Sequence, residues 1–149
     1  MTTQQGLELY FKDRHGSISL QKKGTILVAY FRGSIGDAVA QQFCQGMKEF
    51  IPLFNRQNWA YLNNAIEYKA ATPLAESYYV ETYKYGKEMG CCDDAYVSNS
   101  AVGLSQLGKL RTAAGIHSAI SERIFSSLEE AETYLATQLS AHKVLAQEK

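Results

Sequence analysis

The sequence predicts an α/β domain, with a mixed but mostly parallel sheet of about five strands and about four helices. A continuous apolar run at residues 26–31 is followed, over residues 39–54, by apolar side chains at helical spacing. The same change, from a short apolar run to a helical repeat, recurs over residues 59–89, 95–110 and 124–139. Repeated alternation of a strand with a helix is typical of a parallel sheet whose faces are covered by helices.

The first strands are expected to form an antiparallel hairpin. Ile18 and Leu20 alternate with polar residues, which indicates a half-buried strand, and Gly24 marks the turn into the apolar run at residues 26–31. That run is apolar on both faces and is expected to be central, whereas the strand before it is expected nearer an edge. The alternation over residues 7–12 fits either a further strand or an arm outside the sheet.

Turn and capping residues predict the helix boundaries. Either Ser34 or Asp37 is expected to cap the first helix, and Pro52 is expected to end or kink it. Thr72 followed by Pro73 is typical of a helix start, with Thr as the cap and Pro at the first helical position.

Composition restricts the class of protein. The chain has 149 residues, which suits one domain; we expect an N-terminal arm or extra strand at residues 1–14, a folded domain at 15–139 and a polar tail at 140–149. The 15 basic and 15 acidic residues balance, so no general attraction to nucleic acid is expected. The apolar runs are too short for membrane insertion, and the first residues do not resemble a secretory signal. A cytoplasmic protein is expected.

Residues with catalytic or metal-binding potential are scattered. The histidines are His15, His117 and His142. They lie far apart and lack other ligands at metal-binding spacing, so no metal site is expected. The adjacent pair Cys91-Cys92 lacks the spacer of a redox pair and is expected to be reduced, to pack at a helix end, and to have its pKa values raised by the acidic residues that follow. No nucleophile–base pair or dinucleotide fingerprint is visible, so we expect no cofactor and no enzymatic activity.

Small polar residues follow two of the predicted strands. They are Asn63 and Asn64 after one strand, and Ser98, Asn99 and Ser100 after the next. Ligand sites in parallel sheets lie beyond the carboxyl ends of the strands. Because these side chains are uncharged, they suit either a polar ligand or a loop of a partner protein.

The helix predicted after Pro73 carries several tyrosines. Tyr78 and Tyr79 lie on different sides of it, so they cannot both face one core. Exposed tyrosine is typical of a protein interface. The alternative is that these amphipathic rings cover the edge of the sheet.

Three stretches of the sequence resemble one known family. They are residues 15–20, residues 25–35 running into the helix at 39–54, and residues 123–131, which comprise a short strand and the start of a terminal helix. In these stretches and in the order of its elements, the chain resembles the SpoIIAA-like branch of the STAS superfamily, the sulfate-transporter and anti-sigma-factor-antagonist domains. The resemblance covers about residues 15–139 and implies a STAS-like (SpoIIAA-like) single domain.

The sequence departs from that family at its regulatory motif. Anti-sigma-factor antagonists carry an Asp-Ser-Ser/Thr-Gly motif whose Ser is phosphorylated by a partner kinase, whereas residues 62–67 here read Leu-Asn-Asn-Ala-Ile-Glu. Thr72 lies in the same general region, at a helix start, but outside such a motif.

The resemblance implies a regulatory module that binds a protein partner, and together with the tyrosines it leads us to expect contact through residues 63–72 and the helix at 74–85. The alternative is a domain that senses a small molecule, a lipid or a nucleotide, with the uncharged strand ends lining a pocket. A homodimer is a further expectation, formed either through the strand at residues 18–20 or through the tyrosine-bearing helix.

Overall fold

The computed structural model describes residues 8–55 and 57–147, and in these residues it has one six-stranded sheet and four α-helices. The strands are β1 (Glu8–Lys12), β2 (Gly16–Lys23), β3 (Ile26–Ile35), β4 (Trp59–Ala71), β5 (Cys91–Val97) and β6 (Ile124–Phe125). The helices are α1 (Asp37–Phe50), α2 (Pro73–Glu88), α3 (Ala101–Ala113) and α4 (Leu128–Gln147), and 3-10 turns span Ile51–Phe54 and Ile120–Arg123. The strands lie side by side in chain order, with antiparallel pairing from β1 to β3 and parallel pairing from β3 to β6. The predicted mixed α/β architecture is confirmed, with one strand more than expected.

The additional strand, β1, forms one edge of the sheet. It pairs with β2, so β2 lies nearer an edge than β3, as expected, but has a hydrogen-bonded neighbour on both sides. Gly46 of α1 makes room for β1, because a Cβ atom at Gly46 would lie 2.6 Å from the ring of Phe11. A homodimer therefore cannot form through the edge of β2 at residues 18–20.

Strands β3 and β4 are longer than the sequence predicts. They pair in parallel along the whole of β3, from Ile26 opposite Ala60 onward, with two shifts of register. The expected breaks do not occur: Gly33 stays within β3 at a φ of 71°, and Asn63 and Asn64 lie in the interior of β4. Continuous pairing satisfies the backbone N–H and C=O groups of both strands, and this outweighs the turn preference of these residues.

Most of the predicted helix boundaries are confirmed. α1 ends just before Pro52, which lies in the 3-10 turn that follows, and Thr72 caps α2 with its side-chain oxygen. The start of α1 differs, because its cap residue is Gly36, which has no side chain to accept a backbone N–H of the first turn. Neither Ser34 nor Asp37 has the predicted capping role.

Helices cover both faces of the sheet. α1, α2 and α3 pack on one face, and the residues of α1 and its following turn that were predicted to form the core are all buried there: Val39, Phe43, Met47, Phe50, Ile51 and Phe54. α4 covers the other face around Ala131 and Leu135, and it continues to Gln147, past the expected end at residue 139. In the described part of the chain, no helix is both long and apolar enough to cross a lipid bilayer.

Candidate functional site

A cavity of about 370 Å³ lies between the sheet and the helices α2 and α3. Its wall is mainly apolar and aromatic, with side chains that include Phe31, Phe43, Met47, Trp59, Tyr61 and Leu107. The exposed residues Lys87 and His117 line its outer part. This volume falls in the range that holds small organic ligands.

Strand alternation directs three residues of β4 toward the cavity. Trp59, Tyr61 and Asn63 are each two residues apart, so they share one face of the sheet, and all three line the cavity. Asn63 pairs in register with Ala29 on β3 and with Tyr96 on β5. Ala29 therefore places only a methyl side chain next to Asn63 on that face of the sheet.

One face of α2 closes the cavity. Tyr79, Tyr83 and Gly86 follow one another at intervals of three or four residues and line it together. Gly86 lets the helix approach the sheet, because a Cβ atom there would lie 3.3 Å from the ring of Trp59. Tyr79 is only 3 % exposed, so its expected role at an exposed interface is wrong; Tyr78, on another side of the helix, is half-buried.

Two buried polar atoms at the cavity wall have no hydrogen-bond partner among the described residues. They are Oδ1 of Asn63, a residue 1 % exposed, and the hydroxyl oxygen of Tyr79. The amide nitrogen of Asn63 donates to the hydroxyl of Tyr61 over 3.3 Å, which leaves the amide oxygen as the unsatisfied end. A buried polar atom without a partner costs about 1–3 kcal/mol of folding free energy. Both residues line the cavity, so a molecule bound there is a candidate partner for these atoms.

The two acidic groups beside the cavity are each paired with an arginine. Asp94 accepts two hydrogen bonds from Arg111, over 2.7 and 2.9 Å, and both residues are buried. Burial alone would lower the pKa of Arg111, but the bonds and charge of Asp94 outweigh it and raise that pKa above its usual value. Arg123 donates to Asp93 over 2.8 Å. These ion pairs add no net charge to the cavity wall.

The thiols and phenols of the cavity are held in their neutral forms. Burial raises the pKa of Cys91, and the carboxylate of Asp94 raises it further; burial and Asp93 raise the pKa of Cys92 to about 11. The predicted effect of the acidic neighbours is confirmed. The two cysteines start β5, and Cys91 lies beside Gly86 in the last turn of α2, which agrees with the expected packing at a helix end. Burial likewise raises the pKa of Tyr79. The cavity therefore offers neutral hydrogen-bonding groups near pH 7.

The structure does not bring the other predicted strand-end residues to this cavity. Asn64 points to the opposite face of β4 from Asn63, and its side-chain oxygen accepts from the N–H of Ile66 over 3.3 Å. Residues 98–100 follow β5 as predicted. Ser98 and Ser100 use their hydroxyl oxygens to accept backbone N–H groups of the turn and of the first turn of α3, and Asn99 is exposed.

Thr72 lies at the junction of β4 and α2 and is exposed. Its hydroxyl oxygen accepts from the N–H of Ala75 over 3.2 Å, and the same hydroxyl donates to Oδ1 of Asp37 over 2.5 Å. Thr72 therefore caps α2 and ties its start to the start of α1. A phosphate on this hydroxyl would remove the hydrogen bond that Thr72 donates to Asp37 and would place a negative charge beside the carboxylate of Asp37.

Sequence reasoning missed the cavity, although a signal for it exists in β4. The strand places two large rings, Trp59 and Tyr61, and the amide of Asn63 on the same face. An amide at a core-facing position of a central strand is costly unless it has a partner. That position, and not the presumed end of the strand, was the feature that marked a site.

Two solved structures that this chain resembles identify the fold. The crystal structure of an anti-sigma factor antagonist from Mycobacterium paratuberculosis matches with a TM-score of 0.53 and 15 % identity, over 80 % of this chain and 92 % of that chain. An uncharacterized protein of the DUF3478 family with a SpoIIAA-like fold, from Shewanella loihica, matches with a TM-score of 0.60 and 9 % identity, over 91 % and 98 %. No family model and no curated protein matches the sequence. The chain has a SpoIIAA-like fold, and the predicted fold class is confirmed.

Proposed function

We propose that this protein is a non-enzymatic regulatory module that acts by contact with a partner protein. The shared fold with an anti-sigma factor antagonist, a regulatory protein, supports the proposal. The chemistry of the cavity agrees with it, because paired charges and neutral phenols suit binding better than acid–base catalysis near pH 7.

The surface that we propose for this contact is the edge of the domain where α2 and α3 begin, here called the α2–α3 edge. Three large apolar side chains are exposed on it: Ile66 in β4 at 45 %, Leu74 in α2 at 48 % and Val102 in α3 at 78 %. The side-chain amide of Gln106 in α3 donates to the carboxylate of Glu76 in α2 over 2.5 Å and links the two helices. Large apolar side chains exposed at one end of a domain are typical of an interaction site.

Part of the partner surface predicted from the sequence stays in this proposal. Thr72, Tyr78 and residues 98–100 lie on or next to the α2–α3 edge. Asn63 and Asn64 are left out because both are buried in β4. Self-association through the tyrosines of α2 stays a prediction.

Comparative affinity purification from the native cells tests this surface. The bait is the full chain, as the wild type and as the double variant Leu74→Asp/Val102→Asp. The matched control is Leu53→Asp, because Leu53 is 44 % exposed but lies in the 3-10 turn before β4, at the other end of the sheet. A stoichiometric protein retained by the wild type and the control, and lost by the double variant, is expected. Retention by the double variant would contradict the proposed surface.

A second function, sensing of a small molecule, is favoured by the cavity with its two unsatisfied polar atoms. The cavity replaces the predicted pocket at the strand ends, since of the predicted residues only Asn63 and Tyr79 line it. Native mass spectrometry of the gently purified protein tests this function. We expect the wild-type protein to carry a bound small molecule and the Asn63→Leu variant to have lost it. If the wild-type protein always has the mass of the chain alone, this result counts against sensing.

A further inference from the structure

We propose that the cavity binds an uncharged, flat molecule of about two fused rings that carries one hydrogen-bond donor and one acceptor. This inference rests on the second function above and specifies the class of ligand. A lactam is the simplest group that offers both hydrogen-bonding functions without a charge. The two unsatisfied polar atoms, the size and shape of the cavity, and its paired charges each limit the ligand independently.

The two polar atoms specify the hydrogen bonds of the ligand. Oδ1 of Asn63 is an acceptor without a donor, so the ligand supplies an N–H or O–H to it. The hydroxyl of Tyr79 has no partner, so it can donate to a carbonyl or ring nitrogen of the ligand. Both side chains are buried, and this is why a ligand that satisfies them gains more than it would at an exposed site.

The volume and the walls specify the shape. An apolar cavity of about 150 Å³ in another protein holds one benzene molecule, so the volume of about 370 Å³ here suits about two rings. Phe31 stands edge-to-face with Phe43 and with Tyr79, at centroid distances of 5.3 and 5.5 Å. Tyr61 and Tyr83 make a similar pair at 6.2 Å. Aromatic walls of this kind favour a flat aromatic guest.

The electrostatics specify the charge. Arg111 and Asp94 neutralise each other, and so do Arg123 and Asp93. Lys87 keeps its charge at the exposed outer part of the cavity, where it donates to the neutral carbonyl of Gly115 over 2.7 Å. A phosphate or carboxylate drawn into the inner, apolar part of the cavity would have to break one of the ion pairs or lose its hydration without a counter-ion, which is unfavourable. An uncharged ligand avoids both costs.

Titration with three probes of similar size tests the proposal. The probes are 2-quinolone, a flat two-ring lactam; naphthalene, which lacks polar groups; and 2-naphthoate, which is charged. Methyl NMR signals of Met47 and Leu107, which line the cavity, report where each probe binds. We expect 2-quinolone to bind at least about tenfold more tightly than either other probe, which corresponds to one net hydrogen bond or more.

Two variants assign this preference to the polar atoms. Asn63→Leu and Tyr79→Phe each keep the approximate volume of the side chain and remove one polar group. Each is expected to weaken 2-quinolone about tenfold and to leave naphthalene within about twofold. Tyr10→Phe, at a residue 56 % exposed on β1, is the control and is expected to change neither affinity.

Each alternative outcome has a separate meaning. If naphthalene binds as tightly as 2-quinolone, the proposed hydrogen-bond recognition is wrong, although the cavity is a binding site. If no probe shifts the methyl signals of Met47 and Leu107, both the ligand class and the sensing function fail. If 2-quinolone binds as expected but leaves partner capture unchanged, the ligand class is supported and sensing is refuted.

Discussion

Tyr79→Phe is expected to stabilise the protein in the absence of a ligand. The variant keeps the ring, and with it the edge-to-face contacts with Phe31 and Phe43 at 5.5 and 6.0 Å. It removes only a hydroxyl that has no partner and is buried. Because such a group costs about 1–3 kcal/mol, we expect the free energy of unfolding to rise by about 1 kcal/mol, or the midpoint of thermal unfolding by about 2–4 °C. Residues kept for binding often destabilise the unliganded protein in this way.

A second tyrosine of the same core provides the matched control. The hydroxyl of Tyr96 donates to Oδ2 of Asp94 over 2.8 Å and lies 2.7 Å from the hydroxyl of Tyr83. Tyr96→Phe removes both contacts and leaves a carboxylate oxygen and a phenol with one partner fewer. We therefore expect a loss of about 2–4 kcal/mol, opposite in sign to the effect of Tyr79→Phe.

Urea unfolding measures both variants against the wild type. A change of midpoint at constant slope reports stability alone. If Tyr79→Phe gains stability and Tyr96→Phe loses it, the result supports the assignment of the Tyr79 hydroxyl as a group without a hydrogen-bond partner. If Tyr79→Phe loses stability as Tyr96→Phe does, its hydroxyl has a partner in the unliganded protein, and the argument for a ligand at that atom is refuted.

Three further changes test the energetics of the fold. Asp94→Ala leaves the buried guanidinium of Arg111 without its counter-ion, so urea unfolding is expected to show a loss of about 3–5 kcal/mol. Thr72→Ala removes the cap of α2 and is expected to cost about 1 kcal/mol in thermal unfolding. Stability is expected to be full below about pH 9 and to fall as the pH rises further, because burial raises the pKa of Cys91 and Tyr61 above the ordinary values of 9.0 and 10.0 at which the unfolded chain ionises. Urea midpoints at several pH values between about 8 and 10.5 measure this dependence.

Each of these changes has an outcome that contradicts its reasoning. The double variant Asp94→Ala/Arg111→Met removes both charges and is expected to recover part of the stability that Asp94→Ala loses. If the double variant is as unstable as Asp94→Ala, the unpaired charge of Arg111 is not the cause of the loss. Thr72→Ser keeps the capping oxygen, so a loss equal to that of Thr72→Ala would point away from capping. Midpoints that do not change over the alkaline range would show that these groups ionise equally in the folded and unfolded states.

Local patterns predicted the helices of this fold well because their determinants lie close together in the chain. The apolar spacing of α1 defined its buried face, and Thr72-Pro73 defined the start of α2. The strand limits depended on partners elsewhere in the chain. Asn63-Asn64 has the local preference of a turn, but parallel pairing with β3 extends β4 through it. The edge strand β1 likewise forms because Gly46, distant in sequence, leaves space for Phe11.

The cavity was not predictable from periodicity for a related reason. Periodicity assigns Trp59, Tyr61 and Tyr79 to a core, and all three are buried. Whether a core is completely filled depends on the volumes of side chains that come from different helices and strands. Here Ala29 on β3 and Gly86 on α2 contribute little volume beside two large rings of β4. A sequence pattern shows which residues face inward, but the unfilled space appears only when the elements are assembled.

Helix α2 connects the two proposed functions. Its first turn carries Leu74 on the α2–α3 edge, and its later turns place Tyr79 and Gly86 on the cavity. Gln106 joins α2 to α3 through Glu76, so a shift of α2 on ligand binding would move apolar groups of both helices on that edge. If a ligand in the cavity changes the affinity for a partner by some factor, the partner must change the affinity for the ligand by the same factor. A partner bound at the α2–α3 edge should therefore alter the affinity for 2-quinolone, and sensing requires that both shifts be measurable and equal.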